Sequence, residues 1–232
     1  MLINIGNGVW GRKGPLLPFQ FEVVDGFLYN AYAVENIIKD GWAILTSNDL
    51  EMLKSYLGGE NNANLLLKKE ENGGNNEFGF SWVMSGWRAG ELVGNDFNAR
   101  GSWGHIWTQY DGNVATNLRL DSSLQNFNII NTTALAIKRR GFGLRAWQNY
   151  DSNVHGVLND GNEAPPYYGN DGKKYNTIKL FDYIVTTTNL IETRYNDGTF
   201  IPLIENREEW SNLTTGARCS YDNNENFSYI KT

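Results

Sequence analysis

The sequence predicts an α+β fold of mostly antiparallel short strands, with one or two short helices and long loops. Three observations carry this reading. Trp, Tyr and Phe make up 13% of the 232 residues and stand among 25 glycines, a composition of strands joined by turns rather than of long helices. From Phe78 to Ala146 short apolar runs (FGFSWVM, GSWGHIWTQY, NLRL, FNII and GFGLRAW) alternate with Gly, Asn and Asp, the rhythm of a compact multi-stranded sheet. One segment carries a full set of helix signals. Thr46, Ser47, Asn48 or Asp49 can cap a stretch that sets Leu50, Leu53, Tyr56 and Leu57 on one face, and Gly58 and Gly59 end it.

The remaining elements follow in order. Residues 1–25 hold Pro15, Pro18 and a Gly-rich stretch from Gly6 to Gly14, a composition suited to an extended arm. Its apolar residues Trp10, Leu16, Leu17, Phe19 and Phe21 would be costly to expose and are expected to pack on another subunit. The main part of the domain is expected over 26–147, opening with a strand at Phe27–Val34, FLYNAYAV. A second short helix is expected over 61–69 and a loop over 72–76. Residues 148–173, marked by Pro165, Pro166, Gly169 and Gly172, read as a linker. A strand-rich block, Lys174 to Tyr221, follows, and residues 174–232 are expected to complete the same domain.

Composition narrows the function. A formal net charge of -6 opposes binding to a phosphate backbone, so no nucleic acid is expected. The one basic cluster, Lys138, Arg139 and Arg140, reads as a solvated turn. Cys219 is the only cysteine, which rules out an intrachain disulfide and a Cys-based zinc site. The N-terminus lacks the pattern of a signal peptide, and no apolar run reaches the ~18 residues of a membrane helix. The chain is therefore expected to be made soluble in a cytoplasm, with no membrane partner.

Catalytic chemistry has little to work with. His105 and His155 are the only histidines and sit in no HExxH, GxSxG or spaced carboxylate pattern. His105 reads as a structural histidine in a strand and His155 as a solvated one. Glu70 with Glu71 and Glu208 with Glu209 are sequence neighbours, which do not face one another on a regular element. YDGN at Tyr110–Asn113 and NDGT at Asn196–Thr199 could be calcium loops, but Asp-Gly is stronger as a turn signal. No catalytic residue, no metal and no cofactor is expected.

Several stretches match one family together. LYNAYAV at Leu28–Val34 leads to Gly41-Trp42, the capped helix and YLGG at Tyr56–Gly59. Then come Gly79-Phe80, SGWR at Ser85–Arg88, IWTQ at Ile106–Gln109 and GFGLR at Gly141–Arg145. In this order and spacing they resemble the Fibrobacter succinogenes major paralogous domain, whose members look like C-type lectins in fold. The block Lys174–Asn224 resembles that family's opening portion: YNTIKL at Tyr175–Leu180, TTNLIETRYNDGTFIP at Thr187–Pro202, and EWSNLTTGARCSYDN at Glu209–Asn223. Here that opening comes last, which implies a cyclic permutation. The chain departs from the family at Leu45, where a Pro is usual, at Met52, where an aromatic is usual, and at Ala146, where a closing Cys is usual.

The resemblance implies a C-type-lectin-like domain, but the Glu-Pro-Asn, Gln-Pro-Asp and Trp-Asn-Asp triplets of calcium-dependent sugar binding do not occur. A formylglycine-generating-type oxidase on a related fold would need reactive cysteines, and one Cys speaks against it. Binding is expected instead from aromatic and Asn side chains in the loops: Tyr110, Asn113, Asn117, Asn126 and Asn128. Trp103 and Trp107 are expected in the core. The expected function is a non-enzymatic, virion-associated binding or structural protein of a phage, serving as head decoration, fibre or tail adhesin. Its expected partners are other virion proteins through the arm, further copies of itself, and a host surface glycan or protein. The alternative is a bacterial cell-surface adhesin or glycan-binding module.

Overall fold

The computed structural model describes residues 2–4, 10–12, 21–122 and 126–231. Within the expected arm, Leu16, Leu17 and Phe19 lie outside the described residues, while Trp10 and Phe21 stand in short strands. Phe21–Val23 pairs antiparallel with Tyr229–Lys231, and the amides of Asp25 and Gly26 donate to Phe227 and Ser228. Residues 21–25 are thus bonded into the folded body, where the Asp25 carboxylate meets Arg100.

Two four-stranded sheets form the centre. The first runs in the order Gly143–Leu144, Trp103–Tyr110, Ala115–Asp121, Phe127–Thr132, and only its 143–144 pairing is parallel. The second runs Trp147–Asn149, Tyr183–Thr186, Lys174–Leu180, Glu163–Tyr168, antiparallel throughout. The fold is mixed α+β with mostly antiparallel pairing.

The strand Trp103–Tyr110 is buried on both faces from Gly104 to Thr108. On one side Ile106, Leu118 and Leu120 pack with Leu50, Leu53, Leu57, Ala63 and Leu67. Those five come from the helices Ser47–Tyr56 and Glu60–Leu67 and the turn that joins them. Thr46 caps the first helix, and Asp49 returns a hydrogen bond to the cap, the reciprocal arrangement that satisfies two orphan donors. Tyr56, expected on the buried face, is exposed and donates instead to Asp160 at 2.6 Å. On the other side Trp107, Phe142 and Leu144 pack with Tyr29, Ala31, Val34 and Leu190. Trp107 is buried as expected, whereas Trp103 is 37% exposed at the strand's start, under the Arg119 guanidinium.

Three expectations change. Phe27–Val34 is a strand only at Leu28–Tyr29, followed by the helix Ala31–Val34. The cause is Asn30: its amide donates to Thr215 O (2.9 Å) and its oxygen accepts from Ala217 N (3.0 Å), which ends the ladder and lets Ala31, Ala33 and Val34 turn inward. Residues 148–173 are no simple linker, because Glu163–Tyr168 is a sheet strand. Pro165 and Pro166 fit there because the strand is an edge and its register breaks between Ala164 and Tyr167. Lys138–Arg140 is not a solvated turn. Lys138 is buried, Arg139 donates to Leu213 O, and Arg140 covers the Trp87 ring.

Two buried arginines join the body of residues 26–147 to the segment that follows it. Arg88, with no exposed surface, pairs with Asp96 through two 3.1 Å bonds, donates to the carbonyls of Ile204 and Glu205, and lies over the Trp210 ring. Arg145, equally buried, has no carboxylate partner among the described residues. It donates to Phe80 O (2.6 Å), Ser81 O (3.0 Å), Thr186 O (3.1 Å) and Asn189 Oδ1 (3.1 Å). Burial lowers its pKa to about 9, so it is still charged at neutral pH. Asn189 passes the connection on to Asp25 O at 2.8 Å. Gly143 makes room for it, since a Cβ at Gly143 would stand 2.7 Å from the Asn189 amide nitrogen.

A buried carboxylate braces the far hairpin. Glu192 accepts from Tyr175 OH and from Asn170 N, both at 2.7 Å. Burial, followed by the nearby Asp171 charge, raises its pKa to about 7.

Three outcomes are expected. Arg145→Met leaves four acceptors unpaired in the core and should lower the unfolding free energy in urea by about 3 kcal/mol or more. A chain ending at Trp147 should aggregate on expression, because it exposes sheet edges and the face covered by Leu180, Val185, Leu190 and Trp210. For Glu192 the folded pKa lies above the unfolded one, so its contribution is full below about pH 4.5 and is lost as pH rises to about 7. At about 1.4 kcal/mol per unit the loss is roughly 3 kcal/mol. Glu192→Gln should flatten the stability curve over that interval, as read by denaturation at several pH values.

Candidate ligand-binding groove

Two Asp-Gly turns, far apart in sequence, meet in space. Asp111 accepts from the amides of Asn113 (2.9 Å) and Val114 (2.7 Å), and Asp197 accepts from the amide (2.8 Å) and hydroxyl (2.6 Å) of Thr199. Gly112 and Gly198 have φ of 81° and 85°, a conformation that favours glycine. Both carboxylates thus close their own turns. No group of three or more His, Cys, Asp or Glu that could hold a metal ion occurs among the described residues.

The 195–199 turn is fastened to the chain leaving the helix Ala31–Val34 by a 2.7 Å bond from Asn196 N to Asn36 O. Gly216 lies against both, and a Cβ there would run into the Tyr195 hydroxyl and Ala33. Tyr110, last residue of its strand, meets Tyr32 edge to face with ring centres 6.0 Å apart. Together these segments enclose an open groove of about 560 Å³. Its walls are Tyr32, Glu35, Asn36, Tyr110, Gly112, Tyr195, Asn196, Asp197, Thr199, Thr214, Thr215 and Gly216.

The groove is rich in uncommitted polar groups. Glu35, Asn36, Asn196, Thr214 and Thr215 are exposed, and their side chains make no hydrogen bond to another described residue. Partial burial raises the pKa of Tyr110, with Tyr32 and Glu35 adding to it, and burial with Asp197 raises that of Tyr195. Both phenols are therefore neutral donors at physiological pH. The hydrogen bonds from Thr199 lower the pKa of Asp197, which is a carboxylate there. Lys138 braces the groove from behind, donating to Gly112 O at 3.3 Å with its ammonium 5.6 Å from the Tyr110 ring centre.

A second cavity of about 400 Å³ lies between Gly41–Leu45 and Trp147–His155 and is walled mainly by Trp42, Ile44, Leu45, Trp147, Val154 and Tyr183. Its Asp49 is already engaged by Thr46 and Tyr183, and its His155 ring by Asp151. Fewer free groups remain there to orient a polar ligand.

The expected site residues separate. Tyr110 lines the groove, and Asn113 is exposed on the adjoining turn. Asn117 is only 1% exposed and its Oδ1 lies 3.0 Å from His105 Nδ1, so it is a core residue. Its strand is covered on both sides, which turns the Asn inward. Asn126 and Asn128 belong to the 121–128 end of the sheet, opposite Tyr110, where Asn126 binds Asp121 and Asn64. His105 stacks on Phe142 with ring centres 4.5 Å apart, and burial lowers its pKa to about 3. It is neutral at physiological pH and remote from the groove's free groups. Tyr32 and Tyr195 were not anticipated. The available signal was the tyrosine just before each Asp-Gly turn, Tyr110 in YDG and Tyr195 in YNDG.

No curated protein and no solved structure matches the chain significantly. The family model of the Fibrobacter succinogenes major domain matches residues 12–150. The match takes in Tyr32, Glu35 and Tyr110 and ends before Tyr195 and Asp197. With more than half of the chain matched, the protein belongs to the Fibrobacter succinogenes major domain family.

Proposed function

We propose that this protein is a non-enzymatic recognition module that binds a hydroxyl-rich ligand, such as a surface glycan, in the groove between Tyr32, Tyr110 and Tyr195. The observation that carries the reading is the pairing of three partly buried rings with exposed, unbonded Asn, Thr and Glu side chains. Rings supply rigid contact area and amides and hydroxyls supply adaptable hydrogen bonds. The chain's single thiol and the His105 imidazole lie outside the groove: Cys219 is buried with its pKa raised to about 12, and His105 is buried and neutral.

The fold is read as C-type-lectin-like and cyclically permuted. Supporting this, Arg218–Cys219 pairs with Leu28–Tyr29, and Phe227 and Ser228 accept from the amides of Asp25 and Gly26. The segment resembling the family's opening therefore ends beside the segment that ordinarily follows it. The setting is read as a virion, where the module serves as decoration, fibre or adhesin, with the arm expected at residues 1–25 contacting other virion proteins or further copies. The second reading is a bacterial cell-surface adhesin that uses the same groove.

The expected result on a glycan array is binding by the intact protein and at least a tenfold loss in Tyr110→Ala and Tyr195→Ala, while both variants still unfold cooperatively. Full binding by both variants would remove the groove from the function.

A further inference from the structure

The chemistry of the groove also bears on the charge of what it takes, an inference that rests on the recognition reading above. Two carboxylates, Glu35 and Asp197, stand on its walls, and none of its wall residues is Lys, Arg or His. The basic side chains nearby are turned to other work. Lys138 is buried beneath the Tyr110 turn with its ammonium on Gly112 O and 5.6 Å from the Tyr110 ring centre, which leaves the rings of Tyr32 and Tyr195 without a cation partner among the described residues. Arg194 donates to Gly198 O at 2.7 Å and lies over the Phe200 ring, 3.9 Å from its centre. Neither carboxylate has an ion-pair partner among the described residues. Asp197 spends its hydrogen bonds on the turn and keeps its negative charge at the groove's lip.

Tyr32 and Tyr195 act in the same direction. An aromatic face carries partial negative charge and attracts a cation within about 6 Å. The rings of Tyr32 and Tyr110 touch edge to face, with centres 6.0 Å apart, so they form one continuous aromatic wall. Rings and carboxylates together form a site that disfavours anionic sugars and rewards a positive charge set among hydroxyls.

We propose that the groove selects an amine-bearing sugar, with the ammonium held between Glu35 and Asp197 against the tyrosine rings and the hydroxyls met by Asn36, Asn196 and the threonines. The hydroxyl contacts are shared with a neutral sugar, so the amine adds selectivity to a binding mode that already exists.

Calorimetric titration with a glucosamine tetramer and with its fully N-acetylated counterpart at pH 6 tests this. The amine form is expected to bind at least tenfold more tightly, and 0.5 M salt should narrow the gap because the added attraction is ionic. Glu35→Gln combined with Asp197→Asn should bring the two affinities together; the Asn retains an oxygen to close the turn. Equal binding of both tetramers by the intact protein would overturn the charge selectivity and leave the glycan reading standing. Binding of neither tetramer, with no hit among other glycans, would overturn both. Tighter binding of the amine that survives in the double variant would show that these two carboxylates are not its source.

Discussion

The fold hangs on a guanidinium that has no counter-ion among the described residues. Arg145 directly follows the first sheet's Gly143–Leu144 strand, and the 80–81 loop and the segment 186–189 each offer it two oxygens. A buried cation of this kind is tolerated only when its donors are met, so the three segments are held to one geometry. Asn189 extends the constraint to Asp25, and Asp25 to Arg100. Arg88 repeats the device on the other flank, with Asp96 as counter-ion and the carbonyls of Ile204 and Glu205 as the long-range partners. Both arginines reach from the residues matched by the family model into residues beyond them, 186–189 and 204–205.

That arrangement explains how the groove is placed. Its walls come from four stretches of chain, at 32–36, 110–112, 195–199 and 214–216. The first two belong to the matched part and the last two follow it. They keep register because Asn30 binds Thr215 and Ala217 at one side, and Glu192 ties Asn170 to Tyr175 at the base of the hairpin that carries Tyr195. The shape of the groove therefore depends on polar contacts made inside the protein.

Local signals in the sequence were sound wherever the deciding interactions are local. The capping of the helix at Thr46 and the two Asp-Gly turns involve residues within three positions of one another, and each was legible. The helix Ala31–Val34 was not, because the residue that ends the preceding strand, Asn30, finds its partners at 215 and 217. Pro165 and Pro166 read as a connector since sequence does not disclose that their strand is an edge. Asn117 read as surface since its burial depends on layers supplied by distant helices. The groove has the same character: its aromatic and turn residues were visible singly, and only the tertiary fold brings Tyr32 and Tyr195 to Tyr110.

Cys219, the chain's single thiol, sits with Leu28, Trp210 and Ala217 in a small cluster where the matched part and the following segment meet. Sealed there, and with its pKa raised to about 12, it is shielded from alkylating reagents as long as that seam is shut. The molecule thus carries its own clock for the seam. The rate at which a thiol reagent marks Cys219 in native buffer measures how often the two parts separate, without a label or a substitution having to be introduced.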